Sequence, residues 1–179
     1  MLTYSLVPTD RLDTLSVFHA LHLIQSGSRT LLGALAANSS LQEYYDHFMQ
    51  RSTFIVLAKD ESRIVGTASL KFLSPVSSRA LFRRSSLFYA WLLQNCPNVI
   101  ELGYVVVAPD YAGKHIATTM CNLLLEYMPF KDIYSTVHTT NIASLNLVQN
   151  LGFIPVGASY MSRYTGLPIQ AYKHNSLDK

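Results

Sequence analysis

The stretch from Val99 to Met128 constrains the fold of this chain more than any other. A nearly all-apolar run, Val99 to Val107, passes through Ala108-Pro109-Asp110-Tyr111-Ala112-Gly113-Lys114 into a helical pattern that begins near His115 and stops at Pro129. An apolar run bounded by turn residues reads as a buried strand, and the spacing of Ile116, Met120, Leu123, Leu124 and Tyr127 reads as a helix, Gly113 to Met128, laid on a sheet. Such a junction gathers unpaired backbone N–H groups and the positive end of a helix dipole at one spot, which suits a phosphate. Here the donors are the N–H groups of Gly113, Lys114, His115, Ile116 and Ala117, with Lys114 adding charge and Thr118 a hydroxyl.

The rest of the chain alternates strands and helices around this unit. Thr3 to Val7 reads as a strand, Leu12 to Ile24 as a helix (Leu15, Phe18, Leu21, Leu23), and Leu41 to Met49 as a second helix. Thr53 to Ala58 and Ile64 to Leu70 form a hairpin through Lys59-Asp60-Glu61-Ser62. Ile133 to His138 is a strand, Asn141 to Leu151 a helix closed by Gly152, and Phe153 to Val156 a strand. Tyr160 to Tyr164 and Ile169 to Lys173 read as a last hairpin around Gly166-Leu167-Pro168. Residues 72–98 read as an inserted helix of about 12 residues. That insertion either packs on the domain or, given Phe88, Tyr89 and Trp91, serves as a substrate lid or homodimer contact. The expectation is a single α/β (α+β) domain over residues 1–179, with a mixed, mostly antiparallel sheet of about six to seven strands flanked by helices.

Composition narrows the function. Apolar residues make up 49% and charged residues 14%, which excludes a disordered chain. The surplus of +3 suits an acidic small ligand, whereas nucleic-acid binding needs a basic face, and the densest group is only Arg79, Arg83 and Arg84. No apolar run approaches the roughly 18 residues of a membrane span. Cys96 and Cys121 lack CxxC spacing and residues 1–5 lack signal-peptide character, so a cytoplasmic setting is expected. Cys121 lies among apolar residues and reads as core, against an acyl-enzyme route. His19 and His22 with Asp13 lack a convincing third ligand, so no metal is expected.

Two segments together resemble the GNAT superfamily of N-acyltransferases, which draw an acyl group from a coenzyme A thioester. The resemblance covers roughly Thr53 to Gly157, strongest in Glu101 to Ala117 and Asn141 to Phe153. The family's loop pattern, Q/R-x-x-G-x-G/A, falls on Ala112 to Ala117, with Ala112 in place of the polar residue and His115 in place of the central glycine. The resemblance implies acetyl-CoA as cofactor. It also implies main-chain pairing of Val105, Val106 and Val107 with the pantetheine arm, a contact from Asn141 with Ser144 beside it, and a V-shaped splay between the strands ending at Val107 and His138. Where many members carry a tyrosine that protonates the departing thiolate, this chain has Val148; Tyr160 and Tyr164 are candidates for that role by type alone.

Glu101 is the expected general base. Strand alternation puts Glu101, Gly103, Val105 and Val107 on one face, and Ile100, Leu102 and Tyr104 partly desolvate the carboxylate, which suits proton abstraction from an ammonium. The competing reading for Glu101 is a structural pair with an arginine at the sheet edge, and His138, a candidate proton relay at the end of its strand, has a hydrogen-bonded structural role as its competing reading. The function expected is direct acetyl transfer from acetyl-CoA to a primary amine on a small molecule or peptide. The alternative is a non-catalytic acyl-CoA-binding sensor or interaction module, motivated by His115 and Val148.

Overall fold

The computed structural model describes residues 1–27, 45, 46, 48, 49, 52–72, 100–128, 132–162 and 166–174. Expectations that fall on residues 28–44 and 73–99 lie outside this set, including most of the second helix and the inserted helix. The chain divides into two compact units, residues 1–71 with 102–127, and residues 72–101 with 128–179.

The first unit contains β1 (Leu2–Pro8), α1 (Thr14–Gly27), β2 (Ser52–Asp60), β3 (Arg63–Phe72), most of β4 (Ile100–Val107) and α2 (Ile116–Tyr127). β1 pairs antiparallel with β2, and β2 with β3. Ile55, Val56, Leu57 and Ala58 are all buried in succession, so β2 is covered on both faces, as its unbroken apolar sequence requires. The α2 residues Ile116, Met120, Cys121 and Leu124 complete this core, while Tyr127, expected inside, is 49% exposed. The hairpin turn is shorter than the sequence suggests: Lys59 and Asp60 stay in the strand, and Glu61 alone takes a left-handed φ of 54°.

The second unit contains the start of β4, then β5 (Ile133–His138), α3 (Ile142–Asn150), β6 (Phe153–Met161) and β7 (Pro168–His174). β4 pairs parallel with β5 through Ile100↔Ile133 and Glu101↔Tyr134, and β7 pairs antiparallel with both β5 and β6. Val148, Leu151, Phe153, Ile133 and Tyr172 are buried here. The strand order is β1-β2-β3-β4-β5-β7-β6, a mixed and mostly antiparallel seven-stranded sheet.

Three local expectations are corrected. The segments around Phe153 and Tyr160 are one strand, not two: β6 runs through both, with a register shift between Val156 and Tyr160 where Gly157 takes φ 66°. The second correction is that α2 starts at Ile116, not Gly113. Gly113 at φ 77° and His115 at φ 57° cannot be helical, because a right-handed helix needs negative φ throughout. Finally, Tyr104 at φ 49° interrupts β4, so the alternation that would put Val105 and Val107 on the face of Glu101 and Gly103 does not carry through it.

Candidate functional site

In the first unit, β4 ends at Val107 and Ala108 donates its N–H to the Val65 carbonyl at 2.8 Å, fixing where the chain leaves the sheet. A short 3-10 turn, Pro109–Tyr111, follows. Arg63 clamps it through a two-pronged bond to Asp110, 2.7 and 3.2 Å, and the Tyr111 hydroxyl donates to Asp60 at 2.7 Å. The Arg63 guanidinium holds the Asp110 carboxyl below the usual carboxylate range, and the hydrogen bond to Asp60 pushes the Tyr111 phenol up. Sequence reading missed Tyr111, because its anchor lies 51 residues away and nothing local signals it.

The turn delivers the loop Gly113-Lys114-His115 to the start of α2. Two left-handed residues flank Lys114, a geometry that turns successive N–H groups toward one concavity. The N–H groups from Gly113 to Thr118 donate to no backbone carbonyl among the described residues, whereas Thr119 N–H closes the first bond to His115 at 3.0 Å. A Cβ at Gly113 would meet nothing within 4 Å, and no acidic side chain occupies the first turn of α2. The cradle is therefore open and donor-lined, which fits a diphosphate. Lys114 does not hang free over it: its ammonium sits 4.4 Å from the centroid of the Tyr111 ring. His115 is exposed and adopts the backbone conformation that a glycine adopts without strain. Val105, Val106 and Val107 are half-buried on β4, and Val106 lies so close to Gly27 of α1 that any side chain at position 27 would overlap its Cγ1.

In the second unit, Glu101 is half-buried and its Oε1 accepts a hydrogen bond from the Thr136 hydroxyl at 2.9 Å. His138 follows Thr136 by two residues on β5, the spacing that returns to the same face. It is 7% exposed and its Nδ1 has no hydrogen-bond partner among the described residues. Asn141 caps α3, its Oδ1 accepting from Ser144 N–H at 3.1 Å, which leaves its amide hydrogens as donors. Val148 is 2% exposed. Tyr160 is half-buried on β6, and Tyr164 lies outside the described residues.

Elsewhere, burial pushes the Cys121 thiol up to about 12, consistent with a core cysteine. Asp13 accepts from Ser16 N–H at 2.8 Å, so it caps α1. No helix among the described residues is long and apolar enough to cross a membrane.

Comparison with known proteins identifies the fold and the family. No curated protein matches the sequence. Among solved structures, an acyl-CoA N-acyltransferase from Pseudomonas aeruginosa superimposes with TM-score 0.66 at 12% identity, covering 98% of this chain and 100% of its own. An N-acyl amino acid synthase from uncultured soil microbes gives 0.68 at 12% identity, covering 99% and 92%. The yncA protein of Salmonella typhimurium, solved with its cofactor acetyl-CoA, gives 0.64 at 14% identity, covering 99% and 95%. At these identities the likeness establishes the fold. Residues 22–153 match the model of the acetyltransferase (GNAT) family, which uses acetyl-CoA for acyl transfer. The chain belongs to the GNAT family of acetyltransferases.

Proposed function

We propose that this chain transfers an acetyl group from acetyl-CoA to a primary amine in one direct step, with Glu101 as the general base. The observation that carries the reading is the Thr136 hydroxyl donating to Oε1 of half-buried Glu101, which orients the carboxylate. Acetyl-CoA, when bound, supplies the acetyl group activated as a thioester. The N–H groups of Gly113, Lys114, His115, Ile116, Ala117 and Thr118 hold its diphosphate, with the Lys114 ammonium supporting the charge. Main-chain groups of Val105, Val106 and Val107 and the amide hydrogens of Asn141, stabilised by the Ser144 cap, hold the pantetheine arm.

Glu101 takes the proton that the ammonium form of the acceptor must lose before its nitrogen can attack. Backbone N–H near Val105 would polarise the carbonyl of a bound thioester. Residue 148 is a buried valine, so the proton for the departing thiolate is assigned to solvent. Cys121 takes no part, because a thiol held so far toward its protonated form is not a nucleophile near neutral pH.

The test is release of free coenzyme A against a panel of amines. Amine-dependent release, lowered by roughly 10²-fold or more in Glu101→Gln at unchanged acetyl-CoA affinity, is the expected result. Saturable acetyl-CoA binding with no turnover on any amine would instead make the chain a binding module, and full turnover by Glu101→Gln would remove that residue as the base.

A further inference from the structure

Making an amide from an ammonium takes two protons off one nitrogen, and a single carboxylate holds only one of them. The chemistry therefore has room for a second base beside Glu101. Thr136, whose hydroxyl donates to Glu101 Oε1 at 2.9 Å, marks the face of β5 that the carboxylate adjoins. His138 follows two residues later on β5, which returns its side chain to that face.

His138 is 7% exposed, and its Nδ1 has no hydrogen-bond partner among the described residues. A buried histidine kept for structure has its ring nitrogens hydrogen-bonded, since a buried polar atom left unpaired costs about 1–3 kcal/mol. Ile169, directly across from it on β7, has an apolar side chain and offers that nitrogen nothing. The His138 carbonyl accepts from Asn141 N–H at 2.9 Å, so the ring stands at the turn leading to the residue assigned to the pantetheine arm. Glu101, Thr136, His138 and Asn141 all belong to the second unit. One short stretch of chain thus carries the hydroxyl that orients the proposed base, an unpaired imidazole nitrogen, and the proposed contact to the arm that ends in the thioester. Imidazole is the side chain best suited to take and release a proton near neutral pH.

We propose that His138 is the second base of the reaction, taking at Nδ1 the proton that remains on the acceptor nitrogen after its attack. This rests on direct acetyl transfer to an amine as proposed above. Glu101 takes the first proton and leaves a neutral amine. The nitrogen lone pair then forms the C–N bond while the carbonyl π pair moves onto oxygen. As the carbonyl re-forms, the C–S bond breaks, its electron pair leaves on sulfur, and the nitrogen passes its surplus proton to His138. The thiolate takes one proton from solvent, while Glu101 and the imidazolium each return one, so a single proton is released per turnover.

The test measures coenzyme A release with an alkylamine, an ammonium near neutral pH, and with an alkoxyamine, which is unprotonated there. His138→Asn keeps an acceptor atom near the place of Nδ1 but cannot hold a proton. It should lower kcat by about 10²-fold on both acceptors at unchanged acetyl-CoA affinity, which also checks folding. Glu101→Gln should instead recover on the alkoxyamine, whose first proton is already gone. His138→Ala should regain activity with added imidazole, a response that a merely structural histidine would not give. In the wild-type protein, the nitrogen NMR resonance of His138 Nδ1 should move when the amine and coenzyme A bind together, a readout that needs no active variant. Full turnover by His138→Asn, or an Nδ1 resonance indifferent to the amine, overturns the inference. Full turnover by Glu101→Gln on the alkylamine would remove the first base and leave the His138 measurements to decide the second. Release of coenzyme A with no amine of either kind would defeat the acetyl-transfer reading, and the role of His138 with it.

Discussion

Gly66→Ala tests whether α2, and with it the loop proposed to hold the diphosphate, is positioned by close packing on β3. A Cβ at Gly66 would lie 3.0 Å from Met120 Cε, 3.1 Å from Ile116 Cγ2 and 3.2 Å from Met120 Sδ. Comfortable carbon contacts begin near 3.5 Å, so each neighbour must give way by a few tenths of an ångström. The thioether end of Met120 can swing. Ile116 cannot, because branching at Cβ restricts it and it is the first residue of α2, so the helix start itself must move. Gly66 is not among the residues with positive φ, and no backbone strain enters. Overpacking by one methyl costs about 1–3 kcal/mol, and the entropy lost by the unfolded chain on Gly→Ala returns about 0.4–1 kcal/mol. The net is a loss of about 0–2.6 kcal/mol, or up to roughly 10 °C in Tm for a chain of this size. Urea unfolding should show a lower midpoint with unchanged slope, and calorimetry a weaker affinity for acetyl-CoA. Met120→Ala alone should cost about 2–5 kcal/mol. Combined with Gly66→Ala it should cost less than the sum by at least about 0.5 kcal/mol, since the cavity accepts the new methyl. A stabilising Gly66→Ala, or strict additivity in the double variant, would refute the packing argument.

Other outcomes follow from the same geometry. His115→Val places a β-branched residue at a left-handed position and should destabilise by about 1–3 kcal/mol while weakening acetyl-CoA binding, both read by calorimetry. In a Cys96→Ser background, Cys121 should resist iodoacetamide at pH 8 until urea unfolds the chain, because burial pushes its thiol up to about 12; rapid labelling of the native protein would contradict its placement. The Asp110 carboxyl is held low by Arg63 when folded, so the pair supports stability above the unfolded carboxyl value and loses that support as pH falls through the folded one. The Tm difference between wild type and Arg63→Met should therefore shrink below about pH 4. Asn141→Ala removes the α3 cap and should cost about 1 kcal/mol in urea unfolding.

Periodicity and turn chemistry made most of the fold legible. β5 spans Ile133 to His138, the bounds read from the sequence, and Asn141 and Gly152 bracket α3 as cap chemistry predicts. What escaped were places where a backbone departs from its element. Nothing in Ile100-Glu101-Leu102-Gly103-Tyr104 announces that the tyrosine, not the glycine, takes the positive φ, since tertiary packing decides it. Propensity likewise carried the helix pattern back to Gly113, although His115 is held left-handed. The candidate site divides the same way. The donor-rich loop and Glu101 are candidates by residue type and spacing, whereas Thr136 and Tyr111 enter through partners distant in sequence.

The irregularity in β6 bears on how the protein behaves at high concentration. Among the described residues β6 has a partner strand on one side only, and an unpaired margin of that kind invites other molecules to add strands and build fibrils. Pro155 supplies no N–H there, and the register slip between Val156 and Tyr160 bends the margin away from a straight template. Straightening it, by deleting the extra residues and replacing Pro155, should shorten the lag before aggregation even where the native state is no less stable.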